Sequence, residues 1–226
     1  MTGEPITAWS FSRWDKHNTC PLKFKLEVVD KLPTHRGAAM ERGDRIHKAI
    51  AAHLQAPETK PVPDDIKANA HIISELDTFD NKLVEQQWGF DRSWQPAGWF
   101  SKVKGHETWL RSILDVAVLY DDMSCCVIDW KSGKPRGTHD DQMELFAVSV
   151  FCHTPVVVSV ETRLVYLDED HQETANFDAR DKDKLIAKWE RKVAPMFEDT
   201  EYLPRPGEHC RFCDFSRSKG GQCRYG

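Results

Sequence analysis

The residues best placed to do chemistry are an aspartate and a lysine two positions apart, Asp129 and Lys131, at the end of an apolar run. Side chains alternate between the faces of a strand, so these two share one face while Trp130 points to the other. Charges on an otherwise core-like strand are costly unless they are paired or used. Such a carboxylate can hold a divalent cation, and such an amine can orient a water or offset charge developing on a phosphate. The pair alone is also compatible with a solvated strand end.

A second carboxylate, Asp115, interrupts the preceding apolar strand, and residues 121–123 predict a turn between the two strands. If Tyr120 opposes Ser124 across a three-residue loop, opposed residue numbers sum to 244, and Asp115 faces Asp129. A two-residue loop would give 245 and put Asp115 on the other face. We predict the register with the even sum, or a β-bulge that returns Asp115 to the same face as Asp129. Adjacent carboxylates repel each other, and a divalent cation is the usual reason to tolerate them.

A histidine on an upstream helix is a possible third ligand. His47 follows Gly43 by one turn on a predicted helix, and the glycine would let that helix approach the sheet closely. A single helical histidine is more often structural than a ligand. A histidine that occurs together with two strand aspartates and Lys131 is much less expected by chance than a single histidine. We therefore expect the four side-chain head groups to lie close together.

The pattern along the chain predicts helices first, then strands, then a helix that crosses to a further strand. This order is typical of an α/β fold with a mixed central sheet flanked by helices. The predicted helices are 10–19, 21–32, 38–54, 66–83, 141–152 and 181–197, and the predicted strands are 84–90, 109–119, 125–131 and 156–167.

Composition limits the class of protein. The 226 residues are 40% hydrophobic and 30% charged, with mean hydropathy −0.59, which suits one sizeable core. Neither a membrane span nor a signal peptide is indicated, so a cytoplasmic location is expected. The net charge of −5 argues against indiscriminate coating of nucleic acid, although residues 13–48 and 205–226 are locally basic. A phosphate-binding loop of the Gly-x4-Gly-Lys-Ser/Thr type is missing, so any translocation would need a partner.

Seven cysteines in such a chain indicate metal binding or catalysis more than disulfides. Cys210, Cys213 and Cys223 cluster near the C-terminus, and Cys20 is a distant candidate for a fourth ligand. The spacing fits either tetrahedral zinc, which it slightly favours, or a [4Fe–4S] cluster. The remaining three, Cys125, Cys126 and Cys152, lie in apolar contexts and are expected to be buried small hydrophobes.

Taken in order, these motifs resemble those of the PD-(D/E)XK nucleases, most closely the RecB-like and Cas4-like branch. The resemblance covers about residues 10–224 and is carried by Gly43-x-x-x-His47, Asp115, Asp129-x-Lys131 and Gln142. It implies a restriction-endonuclease-like core and a Mg²⁺- or Mn²⁺-dependent DNA nuclease. The implied metal ligands are His47, Asp115, Asp129 and the Trp130 carbonyl. Lys131 would activate water or stabilise the transition state, and Gln142 would position Lys131 or DNA.

The chain departs from the family pattern at two positions. Phe146 stands where the family usually has a tyrosine four residues after the glutamine, so a hydroxyl is lost. Ser112 stands where a glycine often precedes the strand aspartate by three residues. Neither change removes a ligand, so activity is still expected, but the positioning of DNA near the Gln142 helix is in doubt.

For the cysteines, the resemblance favours a structural [4Fe–4S] cluster over zinc. Its relatives often carry one cysteine upstream of the Gly-x-x-x-His helix and three at the C-terminus, a layout matched by Cys20, Cys210, Cys213 and Cys223. The cluster would join residues 10–35 and 205–226 into an iron–sulfur subdomain of a single 1–226 nuclease domain. It would also gather the two basic ends into one surface.

The expected function is a cytoplasmic deoxyribonuclease of a prokaryotic or phage-infected cell, an exonuclease on single-stranded or end-bearing DNA. Four aromatic residues near the basic ends could stack on bases or, more commonly for such residues, pack in the core: Trp9, Trp14, Phe212 and Phe215. Two alternatives stay open. One is a nuclease-like DNA-binding or adaptor subunit, and the other is end-trimming within a CRISPR-adaptation-like complex. A helicase, recombinase or integrase would be a fitting partner.

Overall fold

The computed structural model describes residues 6–35, 37–134, 138–169 and 171–226, without the side chains of residues 67 and 68. The chain divides into two compact units. The central unit is Gly37–Ile186, and the terminal unit combines Met1–Arg36 with Ala187–Gly226. The predicted iron–sulfur subdomain, 10–35 with 205–226, falls within the terminal unit and stays a prediction.

The central unit is built on a six-stranded mixed sheet with strand order β2-β1-β3-β4-β5-β6. Only the β4–β5 pair is parallel among the described strands. The predicted α/β fold, a mixed central sheet flanked by helices, is therefore confirmed. The strands are β1 (Leu83–Phe90), β2 (Pro96–Ala97), β3 (Leu110–Leu119), β4 (Ser124–Lys131), β5 (Ser159–Tyr166) and β6 (His171–Asp178).

The parallel pair requires a crossover, because parallel neighbours cannot be joined by a tight turn. Helix α5 (His139–His153) supplies the crossover from β4 to β5. Every residue from Met143 to Cys152 on this helix is buried. In β4, residues 125–130 are buried too, so the strand is covered on both faces.

The β3–β4 hairpin has the predicted register. Val116 pairs with Ile128 and Leu119 with Cys125, so opposed residue numbers sum to 244. The Tyr120 amide donates to the Ser124 carbonyl at 2.9 Å, which closes a three-residue loop. The third loop residue, Met123, has a φ of 64°, the left-handed conformation common at this position of such loops. Because this register is even, Asp115 lies on the same sheet face as Asp129.

Helices α3 (Ala38–Gln55) and α4 (Ala70–Asp77) pack on the sheet through a buried apolar core. The helices contribute isoleucines and leucines such as Ile46 and Ile50, and β4 contributes Ile128 and Trp130. Since side chains alternate along β4, burial of Ile128 and Trp130 in this core turns Asp129 and Lys131 to the opposite face.

The terminal unit starts with α1 (Phe11–Thr19), whose Ser10 hydroxyl accepts from the Arg13 amide at 3.4 Å as an N-cap. Next come α2 (Pro21–Phe24) and one π-helical turn, Lys25–Val29. Helix α6 (Lys182–Glu198) continues from the central unit into the terminal one. None of the described helices is long and apolar enough to cross a membrane.

Of the four aromatic residues considered for base stacking, three are buried and one is exposed. Trp9 and Trp14 pack against Trp189 with ring centroids 5.5 and 5.1 Å apart, and both are buried. Phe215 is also buried, beside Cys213. Base stacking is therefore wrong for these three, because their faces are already covered. Phe212 is 71% exposed.

Two secondary-structure predictions need correction. The helix predicted over 66–83 ends at Asp77, because Asp80 and Asn81 are poor helix formers and Leu83 pairs with Ala117 in the sheet. Strand β6 was not predicted, since its polar sequence lacks an apolar alternation; it pairs with β5 among the described strands. Burial of Cys125, Cys126 and Cys152 is confirmed.

Candidate active site

The two strand aspartates lie close to a histidine near the end of β4. The Asp115 carboxylate accepts a hydrogen bond from the Trp130 backbone amide at 2.9 Å, which ties β3 to β4 beside Asp129. The same Asp115 oxygen lies 3.2 Å from Nδ1 of His47 on α3. Both aspartates are buried, at 8% and 6% exposure. The Trp130 side chain points into the apolar core, as the alternation requires.

Lys131 and Gln142 form a closed set of polar contacts with Asp129. Nζ of Lys131 lies 2.6 Å from one Asp129 oxygen and donates to Oε1 of Gln142 at 2.6 Å. Nε2 of Gln142 donates to the other Asp129 oxygen at 3.3 Å. The first turn of α5 therefore holds both the amine and the carboxylate in place. The structure thus brings Lys131 beside Asp129, and Gln142 beside both.

The pKa values of Asp129 and His47 are both raised. Burial and the nearby Asp115 raise the pKa of Asp129, against the opposing effects of Lys131 and His47. Burial lowers the pKa of His47, but the hydrogen bond and charge of Asp115 dominate and raise it to about 9. With this pKa, His47 carries a positive charge at neutral pH. A metal ion bound at His47 would have to displace its proton.

Helix α3 approaches the end of β4 closely at Gly43. A Cβ on Gly43 would lie 2.6 Å from the Ser132 hydroxyl oxygen, one residue beyond Lys131. The glycine thus brings the His47 turn near the end of β4, the close approach that the sequence predicted.

Sequence reasoning missed one carboxylate at the site, Glu85 on β1. Continuing the β1–β3 register, in which Val84 pairs with Val116 and Gln86 with Leu114, puts Glu85 opposite Asp115. Glu85 has a φ of 52°, a left-handed conformation that costs a non-glycine residue on the order of 1–3 kcal/mol. Burial, then the charge of Asp115, raises its pKa. The only sequence signal was an acidic residue at the start of a predicted strand.

The donor set suits a hard divalent cation. Ligand atoms of His47, Glu85 and Asp115 all lie within 4.8 Å of one another, and Asp129 is close enough to raise the pKa of His47. Oxygen-rich ligand sets with one imidazole accept Mg²⁺ or Mn²⁺. The residues present therefore fit a cation, with Glu85 as an addition to the predicted ligands. In the metal-free site Asp129 contacts Lys131 and Gln142 directly.

The four cysteines predicted to act together line one pocket in the terminal unit. Cys20 and Cys213 are buried, Cys210 and Cys223 are half-buried, and all are free thiols. Burial raises the pKa of Cys213, as do the neighbouring Cys20 and Cys223. Four thiols gathered without a disulfide fit a thiolate-bound metal or cluster.

The two departures from the family pattern are both buried. Phe146 is 4% exposed on α5, and Ser112 is 5% exposed on β3. A buried phenyl ring needs no hydrogen-bond partner, so Phe146 contributes packing where a tyrosine would also need to satisfy a hydroxyl.

Comparison with known proteins identifies a nuclease family. Residues 8–218 match the family model described as the PD-(D/E)XK nuclease superfamily. No match is found among curated proteins. The solved structure of SSO0001 is similar, with a TM-score of 0.43 and 14% identity over 94% of this chain and 85% of that one. So is a "putative exonuclease" from Eubacterium rectale, with a TM-score of 0.47 and 10% identity over 92% and 87%.

Substitution of Asp115 by Asn tests the electrostatic account of His47. In EDTA, wild-type His47 should lose its proton near pH 9. Asp115→Asn removes the charge that raises this pKa and leaves the burial that lowers it, so the pKa should fall to about 6.5 or below. Because the pKa of His47 is raised in the folded protein, its ion pair with Asp115 stabilises the fold fully below about pH 6.5. This contribution to the free energy of unfolding is lost as pH rises through about 9.

The measurement is an NMR titration of the histidine ring carbons, with Asp121→Asn in the β3–β4 turn as the control. The control should leave the His47 titration unchanged, because Asp121 is exposed in the loop. Equal His47 pKa values in wild type and Asp115→Asn would contradict the account.

Proposed function

The chain belongs to the PD-(D/E)XK nuclease superfamily, and on that premise we propose that it is a divalent-metal-dependent deoxyribonuclease. One observation carries the proposal: His47, Asp115 and Asp129 converge with Lys131 near the end of β4. Gln142 completes the set from the first turn of α5. A scaffold that only bound DNA would have no use for an amine held between a carboxylate and an amide.

The chemistry is hydrolysis of a phosphodiester by water. Mg²⁺ or Mn²⁺, when bound, supplies Lewis acidity and lowers the pKa of a water. His47, Asp115 and Asp129, with the Trp130 carbonyl and Glu85, are the groups that would hold it. Nζ of Lys131 donates a hydrogen bond that orients the attacking water or meets charge developing on phosphate oxygens. Asp129 and Gln142 fix the amine beforehand, so little reorganisation is needed during reaction.

We further propose an exonuclease that prefers single-stranded or end-bearing DNA. The distribution of charge supports contact with DNA outside the acidic site. The terminal unit carries 14 Lys and Arg against 10 Asp and Glu, whereas the central unit carries 17 against 26. A basic region can follow the phosphate backbone while the acidic site engages it through metal ions.

In the terminal unit we propose a structural [4Fe–4S] cluster held by Cys20, Cys210, Cys213 and Cys223. The shared pocket of these thiols supports it. The chain segments that carry these cysteines are short and rich in polar residues. The buried apolar cluster beside them is small, with Leu26, Cys213 and Phe215 at its centre. A metal cluster would replace the packing that such segments cannot supply.

Two substitutions at the site test catalysis. Asp129→Ala and Lys131→Ala should each lower DNA cleavage by about a hundredfold or more, because each removes a group that acts on the reacting phosphate or its metal. Asp121→Ala and Lys184→Ala, which change an exposed carboxylate and an exposed amine, should retain wild-type rates.

The measurement uses end-labelled single- and double-stranded DNA, and circular single strands, with EDTA, Mg²⁺ or Mn²⁺. An exonuclease degrades the linear strand and spares the circle. Unchanged cleavage by Asp129→Ala would remove the catalytic assignment. Absence of cleavage by wild type with retained DNA binding would favour the adaptor alternative.

Glu85→Gln tests whether the β1 carboxylate is a metal ligand. Affinity at oxygen-rich sites depends on the number of charged ligands, so loss of one charge should weaken Mn²⁺ binding roughly tenfold. Calorimetric titration with Mn²⁺ measures it, and Glu75→Gln on α4 is the matched control. Equal affinity in both variants would exclude Glu85 as a ligand.

Purification tests the cluster directly. The protein isolated without oxygen should be brown and carry iron and sulfide near four of each per chain. Cys210→Ala should lose both and lower the melting temperature, whereas Cys152→Ala, a buried cysteine of α5, should keep iron and sulfide. Stoichiometric zinc in place of iron and sulfide would overturn the assignment.

A further inference from the structure

The segment that joins β2 to β3 is a basic and aromatic surface on an otherwise acidic unit. Residues 92–111 contain four Lys or Arg and one acid, although acids exceed bases in the central unit as a whole. This basic and aromatic surface consists of Phe100, Lys102, Val103, Lys104 and Arg111. A local positive patch within an acidic unit marks where a polyanion can approach it.

Arg111 is held against two aromatic rings and lacks an acidic partner. Its guanidinium carbon lies 4.5 Å from the ring centre of Phe100 and 5.7 Å from that of Trp99. Its Nε donates to the Trp99 carbonyl at 2.9 Å, which leaves the terminal N–H groups for another acceptor. Within the described parts of the chain, no carboxylate lies within 4 Å of this guanidinium. A fixed, partly buried cation without a counter-ion is suited to bind an anion.

The rest of the surface is open to solvent. Phe100 is 70% exposed and Val103 is 65% exposed. Lys102 and Lys104 are exposed, and neither has an ion pair among the described residues. An exposed ring between cations is the combination that binds single strands, because a base stacks on the ring while phosphates contact the amines. A single ring among charges provides too little apolar area for a stable protein interface.

This surface is continuous with the candidate metal site along one face of β3. Arg111, Ile113 and Asp115 alternate with the buried Ser112 and Leu114, so the three share a face. Ile113, between the other two, is 45% exposed, which leaves the path open. Four residues of strand correspond to about 13 Å from Arg111 to Asp115. A strand of DNA bound at Arg111 can therefore extend to the metal site without crossing the sheet.

We propose that this surface binds the single-stranded DNA segment that leads to the cleaved phosphodiester, with one base stacked on Phe100 and phosphates bound by Arg111, Lys102 and Lys104. This inference rests on the proposed nuclease function and adds the path of the substrate. It also predicts a preference for unpaired DNA, because a base within a duplex cannot stack on Phe100.

The binding test measures fluorescence anisotropy of a labelled 12-nucleotide oligothymidylate in EDTA. Phe100→Ala should weaken binding about 5- to 150-fold, the range for loss of one stacked base. The Lys102→Ala/Lys104→Ala double variant should flatten the dependence of log affinity on log salt concentration by about 1.4, or 0.7 for each phosphate contact. Two control variants should bind as wild type: Val156→Ala, which truncates an apolar side chain that is 65% exposed elsewhere, and Lys184→Ala, which removes an exposed amine.

A competing surface provides a direct comparison. Phe212 in the terminal unit is 71% exposed, and Arg211 lies 4.7 Å from its ring, a pair similar to Phe100 and Arg111. If Phe212→Ala weakens binding and Phe100→Ala does not, the inferred path is wrong. A larger loss for Phe100→Ala supports it.

A small substrate separates this inference from the proposed function. Bis(p-nitrophenyl) phosphate reaches only the metal site, so Phe100→Ala and Arg111→Ala should hydrolyse it at wild-type rates while KM for the oligonucleotide rises. Asp129→Ala should abolish both reactions.

If wild type cleaves neither substrate, the proposed function fails. If wild type cleaves both and the two surface variants match it on the oligonucleotide, only the path fails. Loss of both reactions in the surface variants would also overturn the path, since the surface would then support the site itself.

Discussion

The site depends on one constraint, the pairing register of β3 with β4. An even sum of opposed residue numbers puts Asp115 and Asp129 on one sheet face, and the two buried carboxylates must then share a small volume. Each polar neighbour responds to that concentration of negative charge. His47 approaches Asp115 from α3, and Lys131 and Gln142 approach Asp129 from β4 and α5. A shift of one residue would put the two carboxylates on opposite faces of the sheet.

The pKa shifts at the site follow from burial and from the close approach of its acidic groups. The pKa values of Asp129, Glu85 and His47 are all raised, and Asp115 contributes to each shift. For His47 this effect overcomes burial, which acts in the opposite direction. Burial is the largest cause for Asp129 and Glu85, and the charge of Asp115 adds to it, so both effects favour the protonated carboxyl groups. A divalent cation held by these carboxylates would favour their charged forms.

The sequence could predict those features that depend on residues close together in the chain. The β3–β4 register depends on three loop residues and the alternation beside them, so it could be predicted before the fold was known. His47 could be placed by helical spacing from Gly43. Glu85 could not, because a long connection between β1 and β3 leaves their register open to tertiary packing. Burial of Trp9 and Trp14 likewise depends on Trp189, far along the chain, which no local pattern reveals.

Helix α5 has a mechanical consequence for the amine beside Asp129. The helix is buried continuously from Met143 to Cys152, directly after the turn that carries Gln142. Sliding or rotation of this buried stretch would require the surrounding core to open, which is a slow and costly event. Gln142 is thus anchored directly beside a continuously buried stretch of helix. Motion that admits or releases a substrate must therefore come from elsewhere, while the amine stays still.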